Sequence, residues 1–428
     1  MGILITGGRI LDPHSGRDEI GDIYIEEGLI QNEEAAKAGE TIEKIDAAGC
    51  FVMPGLIDLH VHLRDPGYEY KEDIISGARA AAKGGFTTVV AMPNTNPPID
   101  TPDKVKYVTN KAKQMSDICI LQAGAVTMKQ AGQELADIEG MIAAGIPAIT
   151  EDGKSVMNLK LYKEAMEIAA RADIPVMAHC EDRELACDGC MHESDKSREL
   201  GLQGITNATE DVIVARDIIL AKETGARLHL CHCSTKGSVK LIQKGKEEGV
   251  RVSGEVCPHH FTLTSEDIPA DDANYKMNPP LRSREDVEAL LAGLKDGTIE
   301  VISTDHAPHS EKEKRTSMKE APFGIVGLET SVSLTISELV DKGIITPLEM
   351  AEKMSYNPSR ILNIARGTLA EGAIADVTII DPKAAYTIDK NKFVSKGKNT
   401  PFHGRPVKGR VLYTICEGKV VYQYQDKE

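Results

Sequence analysis

Short apolar segments alternate along the middle of the chain with longer segments in which apolar residues recur every three or four positions. The short segments are typical of buried strands and the longer ones of amphipathic helices. Eight strand segments follow in chain order between residues 55 and 306: GLIDLHVH, FTTVVAMPN, ICILQAGA, IPAITED, IPVMAHC, RLHLCH, VRVSGEV and IEVISTDH. Helical patterns such as LYKEAMEIAARAD lie between most of them. This alternation predicts an α/β protein with a parallel (β/α)8 barrel, in which an active site lies at the carboxyl ends of the strands.

Both ends of the chain have a different pattern, with short β-prone runs separated by Gly and Asp. The opening contains ILITGGRIL, GDIYIEEGLI and CFVMPGLI, and the tail contains GAIADVTIIDP and GRVLYTICEGKVVYQ. Such runs are typical of β-hairpins. We therefore predict one small β-domain built from residues 1–55 and 366–428, with the barrel, residues 56–365, inserted between its two parts.

The composition narrows the classes of partner. The 428 residues carry 50 Lys plus Arg against 66 Asp plus Glu, a net charge of −16, which argues against nucleic acid and anionic membranes. An anionic substrate would therefore need a local basic residue. The nine cysteines are scattered, and we find neither a secretory signal pattern nor an apolar run of membrane-spanning length. These features lead us to expect a cytoplasmic enzyme with reduced thiols.

Histidines and carboxylates stand at the ends of the predicted strands. Side chains alternate along a strand, so Asp58, His60 and His62 are expected on one face. Two neutral imidazoles at one strand end suit a metal ion, although an isolated His-x-His pair is weak evidence. The same chemistry recurs at four further strand ends, at Asp152, His179, His232 and Asp305. Since all these ends meet on one face of a barrel, the pattern predicts a metal site.

Several motifs resemble the amidohydrolase superfamily and, within it, the bacterial dihydroorotases of the longer-chain type. They are PGLIDLHVHLRDPGYEYKEDI, AMPNTNP, AHCEDRELACDG, GARLHLCHCSTKGSV and ISTDHAPHSEKEK. The resemblance covers essentially the whole chain. It implies Zn²⁺, one or two ions per subunit with two preferred. The implied ligands are His60 and His62 for one zinc, His179 and His232 for the second, Asp152 as the bridge and Asp305, which also handles protons.

The bridging group is where the chain departs from many members of the superfamily. Hydantoinases, allantoinases and the shorter dihydroorotases bridge their metals with a carbamylated lysine, whereas this chain has TEDGK at the corresponding strand end. The Asp152 carboxylate offers the same two oxygens and single negative charge as a carbamate, and we choose it. Glu151 and Lys154 remain the alternatives at this point.

The resemblance also implies a pocket for a small ring that carries ureide and carboxylate groups. Arg64 can meet a carboxylate with two parallel hydrogen bonds, although without the resemblance a surface ion pair would be the simpler interpretation. The implied substrate contacts are the side chains of His62, Arg64, Asn94, Asn278 and His309 and the backbone of Phe323 and Gly324. This pocket fits dihydroorotate.

The resemblance therefore implies zinc-dependent, reversible hydrolysis of (S)-dihydroorotate to N-carbamoyl-L-aspartate in pyrimidine biosynthesis. The alternatives are an allantoinase or hydantoinase, and a non-catalytic subunit that acts as a scaffold for a transcarbamoylase. A scaffold should have lost metal ligands, and this chain retains the set. The family allows a homodimer and a complex with aspartate transcarbamoylase, while no nucleic acid or membrane partner is expected.

Other residues are interpreted as structural. His229 and Cys231 are separated from His232 by odd numbers of positions, so they are expected on the outer face of the barrel. The charged run of residues 310–320, SEKEKRTSMKE, is expected to be a solvated loop, with a mobile cover over the site as the alternative.

Overall fold

The computed structural model describes residues 2–32 and 42–425. The chain begins and ends with strands, and its middle alternates strands with helices. The strands are β1 (Gly2–Asp12), β2 (Arg17–Glu26), β3 (Leu29–Gln31), β4 (Ile42–Asp46), β5 (Phe51–Pro54), β6 (Leu56–Val61), β7 (Phe86–Ala91), β8 (Cys119–Gln122), β9 (Gly124–Ala125), β10 (Ile149–Thr150), β11 (Pro175–Ala178), β12 (Met191–His192), β13 (Gly204–Ile205), β14 (Arg227–Leu230), β15 (Val252–Val256), β16 (Val301–Ile302), β17 (Val377–Thr387), β18 (Pro406–Cys416) and β19 (Lys419–Gln423).

The helices lie mainly between the strands of the middle region. They are α1 (Ile74–Lys83), α2 (Pro102–Met115), α3 (Ile138–Ala143), α4 (Leu159–Ala172), α5 (Arg183–Ala186), α6 (Asp195–Leu200), α7 (Ala208–Thr224), α8 (Lys236–Glu247), α9 (Pro258–Thr262), α10 (Arg284–Asp296), α11 (Glu311–Lys314), α12 (Ser331–Thr335), α13 (Pro347–Ala351) and α14 (Asn357–Leu362). Within the described part of the chain, none of these helices has the length and apolar character needed to cross a membrane.

All eight predicted strand segments form parallel strands of a barrel, and the third is divided into β8 and β9. The hydrogen-bonded order is β6-β7-β8 in one part and β9-β10-β11-β14-β15-β16 in the other. A parallel bridge between Val61 and His306 joins the first strand to the chain beyond the last, and the His62 N–H donates to the His306 carbonyl at 2.8 Å. The predicted barrel is confirmed.

A buried carboxylate strengthens this closure. Asp58 of β6 is fully buried, and its oxygens accept from the Thr304 backbone N–H at 3.1 Å and the Thr304 hydroxyl at 2.6 Å. Burial raises the pKa of this carboxyl to about 7. The hydrogen bonds of Asp58 connect the first strand to the residues after β16. Asp58, which was expected to share a face with His60 and His62, therefore has a structural role in closing the barrel.

The two chain ends form one sheet, as the sequence predicts. Its order is β19-β18-β17-β5-β1-β2-β3, with β4 paired to β1. The tail joins the opening through antiparallel β5 and β17, where Val52 lies opposite Ile379. Both residues lie in a separate apolar core with the isoleucines of β1 and β2. The β-domain is therefore built from both ends, while its exact bounds at residues 55 and 366 stay a prediction.

The barrel strands read as continuous apolar runs because both of their faces are covered. Every residue of β6, β7 and β11 is buried, the pattern expected for strands enclosed by helices on one side and by the barrel interior on the other. The first helix begins at a capping box, in which the Asp73 carboxylate and the Ser76 hydroxyl each accept from the other's backbone N–H. This cap fixes where the chain turns after the loop that carries Arg64.

Candidate metal centre

The predicted ligands lie where strands give way to loops at one end of the barrel. His60 belongs to β6, and Asp152, His179, His232 and Asp305 follow β10, β11, β14 and β16 within three residues. Two of them have left-handed backbone conformations, with φ of 34° at His232 and 48° at Asp305. Such conformations cost about 1–3 kcal/mol each in residues other than glycine and are concentrated at functional sites. The fold therefore holds strained backbone where it positions these side chains.

The ligand atoms of this group lie at the separations that a shared cation would impose. The His60 Nε2 atom lies 3.1 Å from an Asp152 oxygen and 3.7 Å from Asp305 Oδ1, and His62 Nε2 lies 2.9 Å from Asp305 Oδ1. Atoms held about 2.0–2.2 Å from one tetrahedral metal ion lie roughly 3.4 Å from each other. Two overlapping groups of these residues, His60, His62 and Asp305, and His60, Asp152 and His232, have their ligand atoms within 4.8 Å of one another.

The protonation state of His62 indicates that a positive charge belongs in this group. Asn94 donates its amide N–H to Asp152 at 2.9 Å, so its Oδ1 atom faces His62 Nδ1, also at 2.9 Å. Because a carboxylate and an amide oxygen only accept, His62 must carry its proton on Nδ1. Burial and the charge of Arg64 lower the pKa of His62, which keeps it neutral. Its Nε2 lone pair therefore faces the Asp305 carboxylate, an arrangement that a metal ion between them would stabilise.

His60 is oriented by a carboxylate that the sequence interpretation missed. Its Nδ1–H donates to Glu255 Oε1 at 3.1 Å, and its buried Nε2 has no hydrogen-bond partner among the described residues. Burial alone would lower the pKa of His60, but the negative charge of Asp152 raises it well above its ordinary value. The side chain is thus aimed at the carboxylates, which draw positive charge to that position.

The other two histidines form the far side of the group. His179 Nδ1 and His232 Nε2 are 3.0 Å apart, and both residues are buried. Their second nitrogens, His179 Nε2 and His232 Nδ1, have no hydrogen-bond partner in the described part of the chain. A Glu181 oxygen lies 3.6 Å from His179 Nε2, and Glu181 also accepts from the Asn278 amide at 2.9 Å. Asn278, predicted to contact substrate, therefore reaches the edge of the centre.

Both acidic members of the group are held ionised. Burial would raise the pKa of Asp152 and of Asp305, but the neighbouring histidines outweigh it and hold both pKa values well below the ordinary one. The group contains four imidazoles and two ionised carboxylates, and several buried imidazole nitrogens have no hydrogen-bond partner among the described residues. This set matches the ligand chemistry of zinc and related divalent ions. The residues present therefore fit a metal site.

The three candidates for the bridge occupy different environments. Asp152 lies among the histidines, with oxygens 3.6 Å from His62 Nε2 and 3.9 Å from His232 Nε2. Glu151 accepts hydrogen bonds from the backbone and hydroxyl of Thr127. Lys154 donates to the Gln130 carbonyl at 2.7 Å. The structure therefore brings Asp152, and neither alternative, to the other ligands.

The predicted substrate residues lie beside this centre. The Arg64 guanidinium contacts the Pro308 carbonyl at 3.3 Å and lies 3.4 Å from His309 Nε2. No carboxylate of the described residues lies within 4.0 Å of it. The Gly324 N–H donates to the Lys276 carbonyl, and its carbonyl accepts from Asn399. The backbone groups of Gly324 are therefore already paired, whereas the Arg64 charge has no ionic partner there.

Two residues assigned to the outer face of the barrel are in fact part of its buried interior. His229 is fully buried, with Nε2 3.1 Å from Glu255 and Nδ1 2.8 Å from the Ser253 hydroxyl. Cys231 forms a close group with His60 and Glu255, and burial raises the pKa of its thiol to about 12. The prediction was wrong because β14 ends at Leu230, so the strict alternation on which it rested does not extend to His232.

The interpretation of residues 310–320 as a solvated loop is also wrong in part, because Glu311–Lys314 form a helix and both Lys314 and Met318 are buried. Glu311 and Lys312 are exposed, but Lys314 at the end of α11 keeps only 8% of its exposure. Its ammonium donates to the carbonyls of Ala273 at 2.8 Å and Pro322 at 2.9 Å. These bonds fasten the segment to the barrel.

We expect Glu255→Gln to weaken metal binding. Glu255 is fully buried and accepts from His60, His229 and the Ser303 hydroxyl, the last at 2.6 Å. Burial would raise its pKa, but the bonds from His229 and His60 lower it. An amide would direct N–H groups at one of these donors, so metal affinity should fall by about 10–100-fold, the usual effect of losing such a supporting contact. Competition with a chelator measures this affinity.

The exposed Glu164→Gln is the matched control for the Glu255 variant. Unchanged metal affinity in Glu255→Gln would show that His60 does not depend on its hydrogen bond to Glu255.

Histidines and aspartates converge at the strand ends of the barrel, and the barrel is attached to a β-domain made from both chain ends. This combination defines a metal-dependent hydrolase of the amidohydrolase class. The L-hydantoinase (dihydropyrimidinase) of Arthrobacter aurescens has this fold, with a TM-score of 0.87, 26% identity and coverage of 100% of this chain and 97% of that one. The dihydropyrimidinase of Brevibacillus agri, at 22% identity, shares the fold with a TM-score of 0.85, covering 99% and 95% of the two chains.

Comparison with sequence relatives identifies the family more specifically than the fold does. Residues 49–238 match the family model described as dihydro-orotase-like. The chain is 49% identical to a dihydroorotase of Pelotomaculum thermopropionicum, with 99% of each chain covered, and 48% identical to one of Geobacter metallireducens, with 99% and 100% covered. The chain belongs to the dihydroorotase family. The resemblance seen in the sequence motifs is confirmed, and the protein is a cyclic amidohydrolase.

Proposed function

We propose that the protein hydrolyses (S)-dihydroorotate reversibly to N-carbamoyl-L-aspartate, as a zinc-dependent dihydroorotase of pyrimidine biosynthesis. The observation that carries this proposal is the Arg64 guanidinium, which lies next to the metal centre without a carboxylate partner among the described residues. A half-buried positive charge of this kind favours a substrate that brings a carboxylate, and dihydroorotate carries one on its ring. The names of the relatives support the same substrate.

We assign the metal ligands as His60, His62, Asp152, His179, His232 and Asp305, for one or two zinc ions with two preferred. When bound, the metal supplies Lewis-acid polarisation of the ring carbonyl and makes a water molecule acidic enough to attack near neutral pH. The protein's part is to hold the ligands in place, through Glu255 at His60 and Asn94 at His62. Asp152 supplies the negative charge that balances the cations.

Asp305 is the proton carrier in this proposal. Its ionised carboxylate lies 2.9 Å from His62 Nε2, at the ligand end of the group. In ring opening, the water oxygen bonds to the carbonyl carbon and the bond from that carbon to the ring nitrogen breaks. Asp305 accepts a proton from the water and then delivers it to the departing nitrogen, so that it acts first as base and then as acid.

A hydantoinase activity is the second candidate, because a hydantoinase shares the fold over the whole chain at 26% identity. Hydantoin has no carboxylate and would leave Arg64 unpaired. A site that expects such a contact rejects ligands that lack it. Assays with dihydroorotate, hydantoin and allantoin on one preparation of known metal content decide between the two activities. We expect turnover of dihydroorotate, and turnover of hydantoin alone would refute the proposal.

We expect Arg64→Met to damage the use of dihydroorotate far more than the binding of zinc. Losing hydrogen bonds to a charged group costs roughly 1.5–3 kcal/mol, so kcat/KM should fall by about 10–150-fold. Zinc content should remain unchanged, because Arg64 is not a ligand. The exposed Arg79→Met on α1 is the control. If Arg64→Met has the kcat/KM of the unaltered enzyme, Arg64 is structural.

The retained ligand set supports catalysis over a purely scaffolding role. A homodimer, a complex with aspartate transcarbamoylase and a cytoplasmic location stay predictions from the family and the sequence.

A further inference from the structure

The connection between β17 and β18 extends from the β-domain to the ligand end of the barrel. Its residues 394–399 lie against two buried carboxylates. The N–H groups of Val394 and Ser395 donate to Glu329 at 2.8 and 3.0 Å. The Ser395 hydroxyl donates to Glu72, which is fully buried in the loop between β6 and α1. The segment 394–399 is therefore fixed to the part of the barrel that surrounds the site.

Asn399 ends this segment, and its side-chain amide joins two loops of the barrel. The Oδ1 atom accepts from the His309 N–H at 3.1 Å. The Nδ2 group donates to the carbonyls of Ala307 at 3.1 Å and Gly324 at 3.0 Å. Asn399 keeps only 3% of its exposure. Because an N–H can only donate and a carbonyl can only accept, the amide has one orientation that satisfies all three partners.

The two loops joined by this amide both contain predicted substrate contacts. We call residues 306–309 and 323–326 the pocket loops, with His309 in the first and Gly324 in the second. They are closely packed, since a Cβ atom at Gly324 would lie 2.7 Å from the Ala307 Cβ atom, and the φ of 129° there favours glycine. Such close packing leaves little room for adjustment, so a small change in the separation of the loops displaces groups of the pocket.

The amide also pairs backbone groups that the pocket loops do not pair themselves. The loops contact each other where the Ala307 N–H donates to the Ile325 carbonyl at 2.8 Å. The His309 N–H and the carbonyls of Ala307 and Gly324 are bonded to Asn399 instead. Without that side chain, three buried polar groups would lose their partner, which is costly for the closed arrangement of the loops.

We propose that Asn399 is a positioning residue that holds the pocket loops at the separation at which His309 and Gly324 can contact the substrate. The inference rests on the proposed function for the identity of that substrate. Asn399 acts through the loops, because its side-chain hydrogen-bond partners among the described residues include none of the assigned metal ligands. The β17–β18 connection thus takes part in a site whose other assigned residues all belong to the barrel.

The first test measures the mobility of the pocket loops and does not need substrate. In Asn399→Ala, peptides that cover these loops should exchange their amide hydrogens about 10-fold faster or more, because hydrogen bonds that hold the loops closed are lost. Peptides from α4 should exchange as in the unaltered protein. Hydrogen–deuterium exchange with mass spectrometry, on metal-loaded protein, measures the difference. Unchanged exchange in both pocket loops would overturn the proposal.

The second test is kinetic and uses Asn399→Asp. The carboxylate keeps the shape of the side chain and still accepts from His309, but it places a negative oxygen where an N–H group met two carbonyls. We expect kcat/KM for dihydroorotate to fall by roughly 10–100-fold, the scale of a displacement of up to about 1 Å, with most of the effect in KM. Metal content should not change. A loss confined to kcat, or a kcat/KM equal to that of the unaltered enzyme, would contradict positioning of the substrate contacts.

Two control variants separate positioning from other effects. The exposed Asn110→Asp on α2 makes the same chemical change away from the pocket and should leave KM unchanged. Val52→Ala removes volume from the apolar core of the β-domain, so it should lower Tm without raising KM. An equal rise of KM in Val52→Ala and Asn399→Asp would show that Asn399 only stabilises the fold. If the unaltered protein does not turn over dihydroorotate, the proposed function fails, while the exchange measurements still decide whether Asn399 holds the loops.

Discussion

Asp305→Asn is expected to fold, to retain much of its metal and to lose about 10²–10⁴-fold or more in kcat, the usual scale for general acid–base catalysis. Asparagine keeps the shape of the side chain and one coordinating oxygen, but it cannot accept and release the proton that moves from water to the ring nitrogen. Asp305 is well placed for this transfer because it is nearly buried and its Oδ1 atom lies 2.9 Å from His62 Nε2.

The pH profile gives a second measure of the same residue. Burial would raise the pKa of Asp305, but the neighbouring His62 and His60 hold it well below its ordinary value. A base is active only when it is ionised, so protonation of Asp305 would produce a limb on the acidic side of the hydrolytic profile. That limb should disappear in Asp305→Asn, if it reports this carboxyl.

Metal content must be measured on the same sample, because loss of the metal would abolish activity without any change in proton transfer. The exposed Asp103→Asn on α2 provides the matched control. A variant at position 305 that holds its metal and turns over near the normal rate would exclude Asp305 as the proton carrier.

The second large effect is expected at Asp152. If this carboxylate bridges the metals, then apoprotein given zinc in buffer free of CO₂ should recover its full activity, because no carbamate has to form. Asp152→Ala should lose metal, and its kcat/KM should fall by at least about 10³-fold, which corresponds to about 4 kcal/mol of transition-state stabilisation.

Lys154→Met separates this assignment from a carbamylated lysine. Lys154 donates to the Gln130 carbonyl and lies outside the ligand group, so the variant should keep its metal and most of its activity. A strict requirement for bicarbonate, together with metal loss in Lys154→Met, would point to Lys154 as the bridge in place of Asp152.

Much of the fold was readable from the sequence because parallel barrel strands are enclosed on both faces. Each strand must then be a short apolar run, and eight such runs separated by helical patterns leave few arrangements. The pairing of the two chain ends followed from the similar strand patterns of residues 1–55 and 366–428, and the β5–β17 register confirms it.

The candidate site was readable for a related reason. The carboxyl ends of parallel strands converge, so histidines and aspartates that end successive strands must approach one another even when they are hundreds of residues apart. His60 and Asp305 illustrate this, with ligand atoms 3.7 Å apart across 245 positions of the chain. The motifs around them further indicated the family.

The errors arose where local geometry departs from regular alternation. His229 and Cys231 were assigned outward by counting back from His232, but β14 ends at Leu230 and the backbone at His232 has φ of 34°. Once the chain leaves the strand, parity no longer determines direction. Glu255 in VSGEV did carry a signal, because a charged residue within a buried strand needs a partner, but its partners His60 and His229 are distant in sequence.

The sequence by itself determined the barrel, the split β-domain and the strand ends that carry the candidate ligands, because each depends on local periodicity and on how parallel strands end. Only the tertiary structure decided which side chain of TEDGK meets the histidines and that Glu255 orients His60. These depend on distances between segments that are far apart in the chain, and hydrogen-bond direction at such contacts is set by the packed fold.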